Sequence, residues 1–171
     1  MKENNAKKQL EEELFDESNE DTQKGRFLTF RLAREDYGIE IRYVTEIIGI
    51  QKITEVPDMP HFVKGVINLR GKVIPVMDVR LRFNLPPRDY DDRTCIVVVN
   101  VDEKSVGLVV DKVNEVASIP DDQIEPPPRA DRDGCNYIQG IGKMGEEVKI
   151  LLEVKRLLFT EEMEQRSLIV E

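Results

Sequence analysis

At 171 residues, 40% of them hydrophobic and with a formal net charge of −9, the chain is long enough for one ordinary domain or two very small ones. It is also too acidic to bind nucleic acid without a cluster of Lys and Arg to displace counterions. Its longest apolar stretches, such as Ile96-Val97-Val98-Val99, fall far below the roughly 18 residues of a membrane helix.

The start, Met1-Lys2-Glu3-Asn4-Asn5, lacks the basic flank and apolar segment of a signal peptide, so a cytoplasmic protein is expected. Residues 1–24 hold eight acids and four Lys, net −4, and only Leu10, Leu14 and Phe15 among larger apolar side chains. Such a segment cannot offset the entropy of ordering, so a mobile acidic tail is expected there. From Gly25, runs of β-branched and aromatic residues predict strands at 26–33, 37–41, 45–50, 65–69 and 72–77. Arg34-Glu35-Asp36 is the expected first turn. Further strands are predicted at 94–101, 105–110, 114–119, 138–143 and 147–152. Short helices are predicted at 60–64, where Pro60 suits a first turn, at 79–83, and from Val154 to about Gln165. The ending 161–171 reads as a polar extension.

Comparing the chain with itself reveals a repeat. A shift of 69 lays Tyr37-Gly38-Ile39-Glu40-Ile41 on Val106-Gly107-Leu108-Val109-Val110 and carries Val44, Glu46 and Ile47 onto Val113, Glu115 and Val116. A shift of 75 carries Phe62, Gly65 and Val66 onto Tyr137, Gly140 and Ile141, and Val76-Met77-Asp78-Val79-Arg80 onto Leu151-Leu152-Glu153-Val154-Lys155. Either block alone could be two β-meanders with coincidental spacing; both in order favour duplication. The units, 26–83 and 94–159, have the scale of a small five-stranded barrel.

Catalytic chemistry has little to work with. The sole histidine, His61, lies between Pro60 and Phe62 and reads as a surface or turn residue rather than a base. Gly140-Ile141-Gly142-Lys143 lacks the spacing and hydroxyl of a phosphate loop, and its glycines suit close strand packing. Asp89-Tyr90-Asp91-Asp92 and Asp131-Arg132-Asp133 lack the alternating ligands and terminal Glu of a calcium loop. Cys95 and Cys135, 40 residues apart in unlike settings, suggest neither a disulfide framework nor a zinc site. No catalytic residue, metal or cofactor is expected.

The densest motif is the run from Phe62 to Arg80. Two apolar strands flank a turn at Arg70-Gly71, where Gly71 takes a positive φ and Arg70 projects from the hairpin end. Pro75 has no donor, which argues for an edge strand or a bulge. Residues 62–93 carry seven Lys or Arg against four Asp, a basic island in an acidic chain.

Gly65-Val66-Ile67-Asn68-Leu69-Arg70-Gly71, Ile74-Pro75-Val76-Met77-Asp78, Gly107-Leu108-Val109-Val110-Asp111 and Gly140-Ile141-Gly142-Lys143 together resemble the CheW family of bacterial chemotaxis coupling proteins, over residues 26–159. The resemblance implies an all-β fold with short helices: two five-stranded SH3-like barrels on a shared hydrophobic core, with some strand exchange between the repeat units. It implies a non-catalytic adaptor that joins the cytoplasmic tips of methyl-accepting chemoreceptors to the regulatory domain of the histidine kinase CheA. Such a protein would be recruited to membrane-associated receptor arrays, assemble into rings or arrays, and insert into no membrane itself. Carried over by motif, the receptor-facing residues are Val44, Glu46, Ile47, Gly65, Asn68, Arg70 and Gly71, with Val113 and Val116 across the groove. Ile41, Ile53 and Val63 are the kinase-facing candidates. Two readings of other classes compete. A small-ligand or enzymatic double barrel would need convergent polar groups in the groove, and a nucleic-acid-binding barrel conflicts with the charge and the few strand aromatics.

Overall fold

The computed structural model describes residues 23–127 and 137–158, together with Lys8. Eleven strands, two short helices and two 3-10 turns follow one another over these residues. The strands are β1 (Arg26–Leu32), β2 (Glu35–Glu40), β3 (Val44–Gly49), β4 (Val63–Leu69), β5 (Lys72–Asp78), β6 (Cys95–Val101), β7 (Lys104–Val110), β8 (Lys112–Ser118), β9 (Ile124–Glu125), β10 (Ile138–Met144) and β11 (Glu147–Leu152). The helices are α1 (Val79–Arg82) and α2 (Val154–Leu158). Asp78 starts α1, its carboxylate accepting from the Arg80 and Leu81 amides at 2.9 and 3.4 Å.

One sheet has the order β8-β1-β2-β11-β10-β9 and the other β3-β6-β7-β5-β4. In terms of the repeat units, the order 3-1-2-5-4 occurs twice, but the first two strands of each unit lie in the sheet built by the other unit's remaining strands. The exchange is made by two antiparallel pairings, β1 with β8 and β3 with β6, and by two parallel ones, Val76 to Gly107 and Leu151 to Gly38, at positions related by the repeat. A Cβ on Gly38 would fall 3.0 Å from the Leu151 side chain of its parallel partner, whereas one on Gly107 would fall 2.7 Å from Ile96 on the antiparallel neighbour β6, so glycine makes room for a different flanking strand at each crossing.

The irregularities repeat as well. The β3/β6 register slips between Val44 and Glu46, and the β8/β1 register slips at the matching place, skipping Asn114. Slips between Val63 and Gly65 and between Ile138 and Gly140 also correspond. The Asp78 amide donates to the Phe62 carbonyl and the Glu153 amide to that of Tyr137, each at 2.7 Å. Bulges in both halves at equivalent residues are features of the fold.

The core is continuous across the sheets. Leu28, Phe30, Ile39 and Leu152 from the six-stranded sheet pack with Met77, Val97, Val99 and Leu108 from the five-stranded one, and Val154, Leu157 and Leu158 of α2 close over them. Smaller apolar clusters fill each sheet's far side: Ile67, Ile74, Val76, Ile96, Val98 and Val109 in one, Phe27, Ala117, Ile119 and Leu151 in the other.

Several expectations need adjustment. Residues 60–64 form a turn leading into β4 and not a helix, because the Val63 amide returns to the Pro60 carbonyl and the extended register starts at once. The first turn is at Ala33-Arg34, with Ala33 at φ 57°, and Glu35 and Asp36 already belong to β2. Pro75 is on an inner strand, between β4 and β7; it is tolerated because the parallel register with β7 begins one residue later, at Val76. A sixth strand, β9, joins one sheet through Glu125 and Ile141, and the isolated bridge of Thr54 to Val66 is its counterpart in the other. The predicted tail, the Asp131-Arg132-Asp133 cluster, Cys135, the part of the last helix beyond Leu158 and the 161–171 extension lie outside the described residues. Cys95 is buried, its thiol directed at the Arg93 carbonyl at 3.3 Å.

Candidate functional site

The β4–β5 hairpin presents the projected arginine. Arg70 and Gly71 both have positive φ, 53° and 85°, the pairing of a type I′ turn whose twist matches that of the strands. The Gly71 amide donates to Asn68 Oδ1 at 2.9 Å, so Asn68 fixes the turn from within β4. Gly65 is needed for another reason. At φ 145°, a Cβ there would sit 2.0 Å from the Thr54 carbonyl oxygen, and only glycine admits the bridge between Thr54 and Val66.

Arg70 leans across to β3, where Nη2 donates to Glu46 Oε1 at 2.5 Å. Its side chain is 72% exposed against 24% for Glu46, so the pair has a sheltered carboxylate and a guanidinium still facing solvent. The hydrogen bond to Glu46, and then its charge, raise the affinity of Arg70 for its proton. The β3 bulge after Val44 places Glu46 opposite Val98, within reach of the hairpin.

Between hairpin and β3 lies an open groove of about 360 Å³. Leu69, Ile74 and Val98 supply apolar walls; Glu46, Arg70 and Lys72 are the charged residues around it, with the hydroxyls of Thr45 and Ser105. Lys72 Nζ reaches Ser105 Oγ at only 3.5 Å.

The predicted residues separate by burial. Glu46, Asn68, Arg70 and Gly71 meet at the hairpin tip and retain surface, while Gly65 is buried at the base of the same hairpin. Val44, Ile47, Val113 and Val116 are in the shared core, Val113 with no exposed surface at all. They support the surface from beneath. Of the kinase-facing candidates, Ile41 and Val63 are core residues and Ile53 is half-buried against the outer cluster of the five-stranded sheet.

Two features escaped the pattern reading. Val73 and Val148, which are repeat mates, are 64% and 52% exposed on the strands leaving the two hairpins. Their apolar-strand context hid which face they occupy. The other is an ionic junction: Arg80 grips Asp111 through Nε and Nη2 at 2.7 and 2.8 Å, the Ala33 amide donates to the same carboxylate at 2.9 Å, and Arg88 approaches at 3.3 Å. Burial pushes the Asp111 carboxyl up, but the Arg80 and Ala33 hydrogen bonds outweigh it and hold it below the usual aspartate range. Tyr90 O–H donates to Asp78 at 2.8 Å beside it. The sequence showed the acids and arginines but not their pairing.

Among the described residues no cluster of His, Cys, Asp or Glu could hold a metal ion, and no helix is long and apolar enough to cross a membrane. His61 is exposed, with Nε2 3.1 Å from the Leu81 carbonyl.

Comparison with known proteins adds a family to this geometry. The family model described as a CheW-like domain matches residues 26–162. The chain is 41% identical over 138 residues to the chemotaxis protein CheW of Klebsiella aerogenes, covering 80% of this chain and 83% of that one. It is 33% identical over 133 residues to the chemotaxis protein CheW of Helicobacter pylori, covering 78% and 81%. The crystal structure of the scaffolding protein TtCheW from Thermoanaerobacter tengcongensis matches with a TM-score of 0.75 and 35% identity over 81% of this chain and 94% of that one.

Proposed function

The chain belongs to the CheW-like family and is a chemotaxis coupling scaffold, and from that premise we propose that it joins methyl-accepting chemoreceptor tips to the histidine kinase CheA with the Arg70 hairpin turned to the receptor. The observation carrying this reading is the Arg70–Glu46 pair, held by a fixed I′ turn on one side and a bulged strand on the other. A pre-set, solvent-facing guanidinium suits the carboxylates and carbonyls of a helical tip. The adaptor acts without chemistry of its own. Ile53, the kinase candidate with side-chain surface, marks the kinase side, and alternating copies of scaffold and kinase extend into rings at the membrane-associated receptors, where linked weak contacts give avidity.

The test is a reconstituted assembly of receptor signalling fragment, CheA and this protein. Arg70→Ala is expected to reduce receptor-dependent kinase activation about tenfold, as loss of a central arginine contact does, and to leave the circular dichroism melt unchanged. Wild-type levels of activation by a folded Arg70→Ala would refute the assignment.

A further inference from the structure

The groove beneath Arg70 has a twin in the other half, and the twin is filled. By the repeat, Thr45, Val98 and Ser105 correspond to Asn114, Thr29 and Asp36, while Lys72 and Ile74 correspond to Glu147 and Lys149. Lys149 is 4% exposed, with Nζ 2.7 Å from Asp36 and 3.3 Å from Glu147. Asp36 also accepts from Arg31 at 3.0 Å and Asn114 at 3.2 Å. A long aliphatic stem thus occupies the second half's groove, with its charged head held by Asp36 and Glu147.

In the first half Ile74 replaces the lysine and is too short to do the same, so the space remains open. The charges there have the opposite sense: Ser105 stands for Asp36, Lys72 for Glu147, and Arg70 is added where the twin has Gly145. Glu46 is engaged by Arg70, whereas among the described residues Lys72 makes a single polar contact, 3.5 Å to Ser105, at the limit of a hydrogen bond. Shape calls for a long unbranched side chain, and charge calls for an anionic head.

We propose that the open groove is a socket for a glutamate side chain of the receptor tip, its methylenes on Leu69, Ile74 and Val98 and its carboxylate on Lys72, and that Lys149 closes the equivalent socket so that the scaffold docks through one half only. This rests on the reading that the Arg70 face meets the receptor.

Binding of a purified receptor signalling fragment to the full chain tests it by titration. Lys72→Glu, an exposed change, is expected to weaken binding about tenfold. The double substitution Ile74→Lys with Ser105→Asp, which copies the Lys149–Asp36 pair of the filled socket, is expected to do the same with a cooperative melt retained. Exchanging the correct receptor glutamate for lysine should restore binding to Lys72→Glu while weakening it to wild type. An Arg70→Ala that binds as wild type removes the underlying reading and the socket with it. If Arg70→Ala weakens binding but Lys72→Glu does not, the face stands and the socket is overturned. A Lys72→Glu defect that no glutamate-to-lysine exchange in the fragment restores overturns the glutamate as occupant.

Discussion

The hairpins β4–β5 and β10–β11 share a two-residue turn, a bulge one residue before the key glycine, and a neighbouring chain segment paired at the same place. They part in what they carry. One ends in Arg70 over an open groove; the other ends in Gly145-Glu146 above a buried Lys149–Asp36 pair. Backbone architecture was thus duplicated by keeping glycines and register, and a few side chains were enough to make one copy receptive and the other closed.

The sharpest test of that equivalence is at the two glycines of the bulges. Gly65→Ala places a methyl 2.0 Å from the Thr54 carbonyl at a φ of 145°, so backbone must move, and a loss of about 4 kcal/mol is expected in urea unfolding. Gly140→Ala meets the Glu125 carbonyl and Ile124 at 2.8 Å with no such φ, and about 1–2 kcal/mol is expected. Equal losses would mean that the two bulges are held in the same way.

Next in size is the ionic junction. Asp111→Asn leaves Arg80, only 14% exposed, facing a neutral amide, and a cost of about 2–3 kcal/mol is expected. The wild type adds a pH signature. Asp111 and Asp36 both titrate below the ordinary aspartate value, the net result of burial raising them and hydrogen bonds from Arg80, and from Lys149 and Arg31, lowering them further. The unfolded chain therefore takes up protons first as pH falls through about 4, and the stability these groups give, complete above that value, is lost towards their lower folded values. Melts of Asp111→Asn should fall less steeply over the same acid range.

The smallest effect concerns the filled socket. Lys149→Ile, which installs the first half's residue, removes the ammonium but leaves Asp36 with Arg31 and Asn114, and about 1 kcal/mol is expected. Adding Asp36→Ser removes both charges and should recover part of that loss, giving a non-zero coupling in a double-mutant cycle. Simple additivity would show that the pair contributes nothing as a pair.

Much of the fold was legible because strands announce themselves by composition and because a repeat tests itself. The shifts of 69 and 75 that aligned Gly38 with Gly107 and Gly65 with Gly140 are the shifts that relate the observed pairings and bulges. The helix expected at Pro60 failed because a proline is as compatible with a turn as with a first helical residue. At the site, Arg70 and Gly71 were readable from turn chemistry, whereas Asn68 was carried over by the family resemblance and only the structure shows it accepting from the Gly71 amide. Val44, Ile47, Val113 and Val116 were assigned to a surface by motif, and the structure places their side chains in the core, since proximity in a motif does not report which face of a strand a residue occupies.

What the sequence by itself determined is local and periodic: where strands run, where glycine must permit a turn or a close approach, and that the chain says the same thing twice. Only the tertiary structure decided that each unit lends its first two strands to the other, that Glu46 receives Arg70 from 24 residues away, and that Lys149 fills one groove while Ile74 leaves the other open. Those outcomes depend on non-local pairing, in which burial and charge are settled by neighbours that the local sequence does not name.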